Sequence, residues 1–447
     1  MRQTNKIRKG IAWLLCTVLV LGILPMLPQM SMQISAAENA ASVFVDGVEL
    51  HAGGKKYFKN GDTADSGATG TDEDHSAYYD TAGELWLNNL EAHTIKANGN
   101  LTIYVCNNQE TNTNIVTATQ NETAIEVTGY LTIQYGGYGE TGSLTVESDG
   151  KEAIQAGSGM TVSDGVEVKV RAKSGATAIS SGGVLKIDGI RTKLEAASDG
   201  STGKGIFAQQ SIYVKNSAVL TAFGGAAAYE SPSGIDKSGY GYEDYNVFTG
   251  DAAPGTQAAK DTALDGYKYI RIEPTGVANV KTLTELQAAA QNQYISLINV
   301  MNDITITDTV YVRRAVTIQS PDVSNVSKLI RGKSHTDVIL DFDGANGHKS
   351  DVVTLKNIIV DGNKDGNTQT ASPALKSKSI LVDLESGTVI ENNHAKEGAA
   401  IYVNHYSTVT MKEGSEIRNN LSESDGTVYV IGNGGYFEMA GGTISGN

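Results

Sequence analysis

Ala124-Ile125-Glu126-Val127-Thr128-Gly129-Tyr130-Leu131-Thr132-Ile133 decides the fold, because the chain repeats its grammar. An isoleucine is followed six residues later by the start of an alternating apolar triplet: Ile95 then Leu101, Ile125 then Leu131, Ile154 then Met160, Ile179 then Leu185, Ile206 then Ile212. The interval from one isoleucine to the next varies (30, 29, 25 and 27 residues), so the step is fixed and the rest of the period is loop. A fixed corner with a variable return is the signature of stacked coils. With a side-chain period of two, Leu131 and Ile133 point inward and Thr132 outward, so each coil adds one layer to an apolar column that no coil could bury alone.

Composition agrees. Among 447 residues there are 50 glycines and only 7 prolines. Short alternating runs between Gly, Asn, Asp and Ser turns predict an all-β chain. The expected architecture is two consecutive parallel β-helix (β-solenoid) segments. The first, 41–275, opens with Val43, Val45 and Val48 around the Asp46-Gly47 turn and contains a Tyr/Gly-rich loop at 224–265. The second, 278–447, begins with a capping helix, where Thr282-Leu283-Thr284-Glu285 forms a capping box and Leu283, Leu286 and Ala290 an apolar stripe. In this segment Asn393, Asn420 and Asn447 recur every 27 residues, which predicts a ladder of stacked amides, with Asn363 as its expected first rung. The last repeat stops at Gly446-Asn447, and the reading expects a chain truncated there.

Residues 1–37 read as a signal peptide, with a retained membrane anchor over Ile11 to Leu27 as the alternative. Arg2, Lys6, Arg8 and Lys9 precede an apolar run from Ile11 to Leu24, and Ser35-Ala36-Ala37 supplies a cleavage site. The chain carries a net charge of −15; without those four basic residues, 31 basic side chains face 50 acidic ones, a balance of −19. Such a surface repels phosphate backbones and anionic headgroups, so neither nucleic acid nor a membrane beyond the leader is an expected partner. Cys106 is the only cysteine after the leader, which excludes an intrachain disulfide and a thiolate metal site. An exported chain of this kind fits the secreted or cell-surface proteins of a Gram-positive bacterium.

Tyr79-Asp80 with Leu85-Trp86-Leu87-Asn88-Asn89, followed by the isoleucine repeat, resembles a group of bacterial secreted β-helix domains associated with carbohydrate binding. The capping helix, Asn302-Asp303-Ile304-Thr305-Ile306 and the Gly441-Gly442-Thr443-Ile444-Ser445-Gly446-Asn447 ending resemble the pectin-lyase-like right-handed parallel β-helix. The resemblance implies a fold that serves lyases, hydrolases, adhesins and stalks alike, so it fixes no activity.

Candidate chemistry is sparse. Asp341, Asp343 and Asp361 with Arg331, Arg313 or Arg314 are the acids and bases a polysaccharide lyase or glycoside hydrolase would use. The Gly-Asp-Asp, Gly-His-Gly and Arg-Ile-Lys signatures of pectin-cleaving hydrolases are absent, and Asp343-Gly344 and Asp361-Gly362 read equally as turns. Glu391, His394 and Glu397 could share a proton or simply line a solvated loop, while His348 and His405 have no partner of clear spacing. Asp62, Asp65, Asp72, Glu73 and Asp74 leave Ca²⁺ as the one cofactor to consider, without the acid spacing of an EF-hand. Trp86, between two inward leucines, must face outward as a sugar platform unless the preceding loop covers it. Tyr240, Tyr242 and Tyr245 offer a second aromatic surface or anchor their own loop. The reading adopted is a non-enzymatic, glycan-binding or adhesin-like surface solenoid whose partners are glycans or extracellular proteins. A lyase or hydrolase acting on an acidic polysaccharide, and a structural stalk for a further C-terminal module, are the alternatives.

Overall fold

The structure is a computed structural model that describes residues 39–447, except 52, 53, 55, 72, 73, 107–112, 120, 138–140, 345–349 and 367–369. The expected leader, Asp72, Glu73 and His348 lie outside the described residues. From Ala40 onward the chain forms one compact unit, a β-solenoid of about 12 turns. Among the described residues no helix is long and apolar enough to cross a membrane.

The repeated decapeptide makes two sides of each coil. Ile95, Ile125, Ile154, Ile179 and Ile206 lie in parallel register in sheet I, and Leu101, Leu131, Met160, Leu185 and Ile212 do so in sheet II. The third side, sheet III, stacks Val116, Val146, Val170, Ala196 and Ala222. All of these are essentially inaccessible. Burying one such aliphatic side chain contributes about 1.5–3 kcal/mol, which the stack collects once per coil and side. Between sheets I and II the coils approach so closely that a Cβ at Gly183 would stand 2.2 Å from the carbonyl oxygen of Ser158, so only glycine fits.

Antiparallel strands close the start. The Ser42–Val45 and Val48–His51 hairpin turns at Asp46 (φ 49°) and Gly47 (φ 75°) and lies antiparallel on Ile95–Ala97. Glu84–Leu87 joins sheet II parallel to Leu101–Val105, and Ala77–Tyr79 and Tyr57–Phe58 add to it antiparallel.

Residues 224–265 are not a loop. Ala227–Glu230 and Ile235–Asp236 complete sheets I and II, and Glu243–Gly250 pairs antiparallel with both Thr256–Ala258 and Tyr269–Val280. Buried Glu243, Val247 and Thr249 share one strand face, an alternation that the surrounding Gly, Ser and Asp residues obscure in the sequence.

Strand Tyr269–Val280 joins the two segments. Its first part runs antiparallel to Val219–Gly224 and its last four residues run parallel to Leu297–Val300, so sheet III continues through the whole solenoid. The apolar interior nevertheless divides into two clusters, one ending at Ile272 and the other starting at Ala278. Helix α1 (Leu283–Gln291) has its capping box: Glu285 N–H donates to Thr282 Oγ1 at 3.3 Å, and Thr282 N–H donates to Glu285 Oε2 at 3.2 Å. Its Leu286, Ala289 and Ala290 are buried in the second cluster. From there the coils have sheet III, sheet IV (Ile304–Ile306 to Thr443–Ser445) and sheet V (Val310–Val312 to Val428–Val430) as their sides.

The amide ladder forms, with a different head. Asn393 N–H donates to Asn420 Oδ1 at 3.0 Å, and Asn420 N–H donates to Asn447 Oδ1 at 2.9 Å. Asn363 stays outside it, its amide turned to the Arg331 carbonyl at 3.0 Å. Gly362 explains why: a Cβ there would meet Asn393 Cα at 2.3 Å, so the ladder's corner has already been taken by the Asn393 side chain.

Candidate functional site

On the outer face of sheet II, register brings aromatic residues into one column. Tyr57 lies opposite Tyr78, Tyr78 opposite Trp86, and Trp86 opposite Tyr104. All four are half-buried, because each alternates with an inward neighbour: Phe58, Ala77 and Tyr79, Leu85 and Leu87, Ile103 and Val105. Trp86 stacks on Tyr104 with centroids 4.1 Å apart and planes 8° from parallel, and Tyr57 stacks on Tyr78 at 5.1 Å and 22°. Lys56 Nζ sits 5.2 Å and 5.3 Å from the Tyr57 and Tyr78 centroids, a cation over two π faces.

Polar groups fix the rings. The indole N–H of Trp86 donates to Asp80 Oδ2 at 3.3 Å, and the Tyr104 hydroxyl donates to Glu84 Oε1 at 3.4 Å. Burial, and the nearby Asp80 charge, push the Glu84 carboxyl above its ordinary value; burial and the Glu84 charge do the same for the Tyr104 phenol. Gly136 lies against the stack, where a Cβ would meet Tyr104 at 2.8 Å and Trp86 Cζ3 at 2.9 Å. Beside the rings runs a second outward column, Glu84, Thr102, Thr132, Thr161, Lys186 and Tyr213. The face thus combines flat apolar rings with hydroxyls and carboxylates at the strand spacing. Tyr104 was open to discovery by counting alternate residues from Leu101; Tyr57 and Tyr78 required knowledge of the antiparallel pairing.

The other aromatic candidates do not join it. Tyr240 is 2% exposed and donates its hydroxyl to the Ala218 carbonyl, so it is a core residue with no free face. Tyr245 packs 4.8 Å from it, and Tyr242 packs against the second core. These rings anchor the junction arm.

Nor do the acids and the arginine converge. Asp341 and Asp343 stand on sheet V, where Arg313 Nη1 lies 3.5 Å and 3.6 Å from them and Lys378 Nζ 3.7 Å from Asp343. Burial raises the Asp341 carboxyl despite Lys376 and Arg313 nearby. Asp361 stands on sheet IV, a different side of the coil, and shares Lys328 with Glu391. Arg331 is fully buried, pointing inward beside Leu329. Its Nε and Nη2 donate to Asn393 Oδ1 at 3.2 Å and 3.0 Å, and its other donors meet the carbonyls of His335, Asp337, Ser372 and Pro373. Burial pulls its guanidinium down to about 10, leaving it cationic at neutral pH. It heads the amide ladder and ties two loops to the core, so it has no open side for a substrate.

Glu391 and His394 also part company: Glu391 accepts from Lys328 at 3.1 Å and Arg418 at 2.9 Å, whereas His394 Nε2 faces Glu423 Oε1 at 3.0 Å. In the acidic loop, Asp62 accepts the amides of Lys59 and Thr69 at 2.9 Å and 2.8 Å, and Asp74 pairs with Lys59. Among the described residues no group of three or more His, Cys, Asp or Glu side chains gathers as metal ligands would.

Comparison with curated proteins gives no match, and comparison with solved structures gives none. A family model, that of a putative pectate lyase-like adhesive domain, matches residues 277–425, a span that begins in the joining strand and takes in α1 and most coils of the second core. With parallel coils carrying that span and continuing on its N-terminal side, the chain is a parallel β-solenoid whose residues 277–425 resemble a pectate lyase-like adhesive domain.

Proposed function

We propose that the protein is a non-enzymatic, adhesin-like solenoid of the bacterial cell surface or its surroundings, and that it holds glycan chains along the Tyr57–Tyr78–Trp86–Tyr104 column. The observation that carries this reading is the column itself: four rings in consecutive register on one outward face, held by Asp80 and Glu84 and flanked by threonines. A pyranose presents an apolar C–H face to such rings and hydroxyls to their polar neighbours. The match of the second segment to an adhesive-domain model supports the same reading, as does a scaffold of about 12 stacked turns. The paired state of Asp341 and Asp343 and the burial of Arg331 favour binding over cleavage.

The test is a glycan array probed with the purified protein, with and without Ca²⁺, followed by a product assay on each bound glycan. Binding without turnover that is lost in Trp86→Ala is the expected result. Turnover, or binding indifferent to Trp86, would overturn the proposal.

A further inference from the structure

A groove of about 990 Å³ opens at the start of the solenoid, on the side formed by sheets I and III. It exists because sheet III begins abruptly. Glu91–Ala92 pairs only with Ile115 and Val116 of the five-residue strand Asn114–Ala118. Beyond Ala92 the chain is drawn aside, since the N–H groups of His93 and Thr94 both donate to Asp46 Oδ1, at 2.6 Å and 2.8 Å. Past Ala92 this side of the strand therefore leaves only the Thr117 carbonyl and the Thr119 N–H without a strand partner among the described residues, while Ala118 pairs on its other side with Ser148, and this short edge faces the groove.

The walls are preformed. Asn60 Nδ2 donates to the Asn89 carbonyl and Asn60 Oδ1 accepts the Glu91 N–H, both at 2.9 Å, which pins the loop beside the groove. Phe44, 37% exposed, lies next to Lys96 in register, and Ile115 adds a second apolar surface. Glu91 and Glu122 stand exposed at the rim; Lys96 Nζ is 3.8 Å from Glu122. Open strand edges are ordinarily blunted by charge of the chain's own or covered. Here the edge is left within an acidic, partly apolar trough.

We infer that this groove takes a short extended peptide segment with basic side chains, from a protein partner, which continues the place of Glu91–Ala92 by pairing with the Thr117 carbonyl and the Thr119 N–H. Two backbone hydrogen bonds would set the register, Phe44 and Ile115 would hold the side chains on one face, and Glu91 and Glu122 would select lysine or arginine on the other. An amine-bearing glycan would satisfy the carboxylates and stack on Phe44, but it has no backbone to use the edge, which is why the peptide is favoured. The site uses none of the sheet II column and is independent of glycan binding there.

The experiment uses the full chain and fluorescence anisotropy. Its probes are a labelled hexapeptide alternating lysine and valine, two copies of it N-methylated on alternate amides in either register, and a glucosamine hexamer. Expected are saturable binding of the unmodified peptide and a loss of at least about tenfold for one N-methylated copy but not the other. A similar loss is expected in Glu91→Gln/Glu122→Gln, with an unchanged circular-dichroism spectrum and unchanged response to Tyr104→Ala. The comparison of the two methylated copies needs no variant, so a folding defect cannot mimic it. Absence of binding up to about 1 mM, equal binding of both methylated copies, or preference for the glucosamine hexamer would overturn the inference.

Discussion

Replacing Asn420 by Ala tests the ladder that aligns the coils of the second segment. Asn420 is 2% exposed, and its side chain makes contacts in both axial directions. Oδ1 accepts the Asn393 N–H at 3.0 Å; Nδ2 donates to the Ile390 carbonyl at 3.1 Å, the Arg418 carbonyl at 3.0 Å and Asn447 Oδ1 at 3.0 Å. Alanine removes all of these and strands the N–H of wholly buried Asn393, while the Ile390 carbonyl, kept in the strand ladder opposite Arg418, loses its second donor. An unpaired buried N–H costs about 1–3 kcal/mol and each further lost hydrogen bond about 0.5–1.5 kcal/mol, so the expected loss is about 2–4 kcal/mol, well above the effect of deleting one solvent-facing amide. Aspartate at the same position could still accept from Asn393 but would turn a carboxylate toward the Ile390 carbonyl, and it should cost at least as much as alanine. Because a solenoid's coils unfold with partial independence, the assay is hydrogen exchange read by peptide alongside urea unfolding. Protection should fall around residues 389–393 and 416–420 and stay unchanged in coils before Gly224. A loss below about 0.5 kcal/mol, or deprotection spread evenly over the chain, would refute the ladder's role.

Two buried carboxylates should give opposite pH signatures. Burial pushes Glu243 above its ordinary value against the hydrogen bonds from Ser217 (2.8 Å) and Asn292 (3.1 Å), so its contribution is most favourable below the unfolded value and is lost as pH rises through the raised one. Glu243→Gln should remove that loss, and a melting-temperature difference between variant and wild type that stays constant from about pH 4 to 8 would contradict it. For Glu391 burial alone would raise the carboxyl, but hydrogen bonds from Arg418 and Lys328 prevail and hold it below the ordinary value. Its stabilisation is therefore present above the unfolded value and lost as pH falls through the lowered one. Glu391→Gln should cost on the order of 1–3 kcal/mol at neutral pH, shrinking in acid, as measured by urea unfolding; an equal cost at both ends would count against the pairing.

How much of this was legible in the sequence depends on whether a feature is local to a coil. The six-residue step and the alternation of Leu131, Thr132 and Ile133 are local, and they gave the stacked coils; the 27-residue recurrence of asparagine gave the ladder in the same way. Trp86 between Leu85 and Leu87 pointed outward for the same reason. What the spacing could not tell was which side of a coil a residue occupies, because corner and return lengths vary. Asp341 and Asp361 are 20 residues apart, and that distance alone does not reveal that they stand on different sheets. Arg331 stood in plain alternation with Leu329, but its charge argued for the surface. Only the convergence of four backbone carbonyls and Asn393 makes an inward guanidinium tolerable, and that convergence is tertiary. The arm at Glu243–Gly250 and the groove at Phe44 depend on antiparallel pairings between distant segments, which no local period announces.

The most direct test of the central claim is calorimetric titration of the best glycan from the array against Tyr57→Ala, Tyr78→Ala, Trp86→Ala and Tyr104→Ala in turn. If the column is one platform, each ring should contribute about 1 kcal/mol, roughly a fivefold weaker affinity per variant, with Trp86 and Tyr104 non-additive because they stack on each other. Unchanged affinity across all four variants would contradict the account.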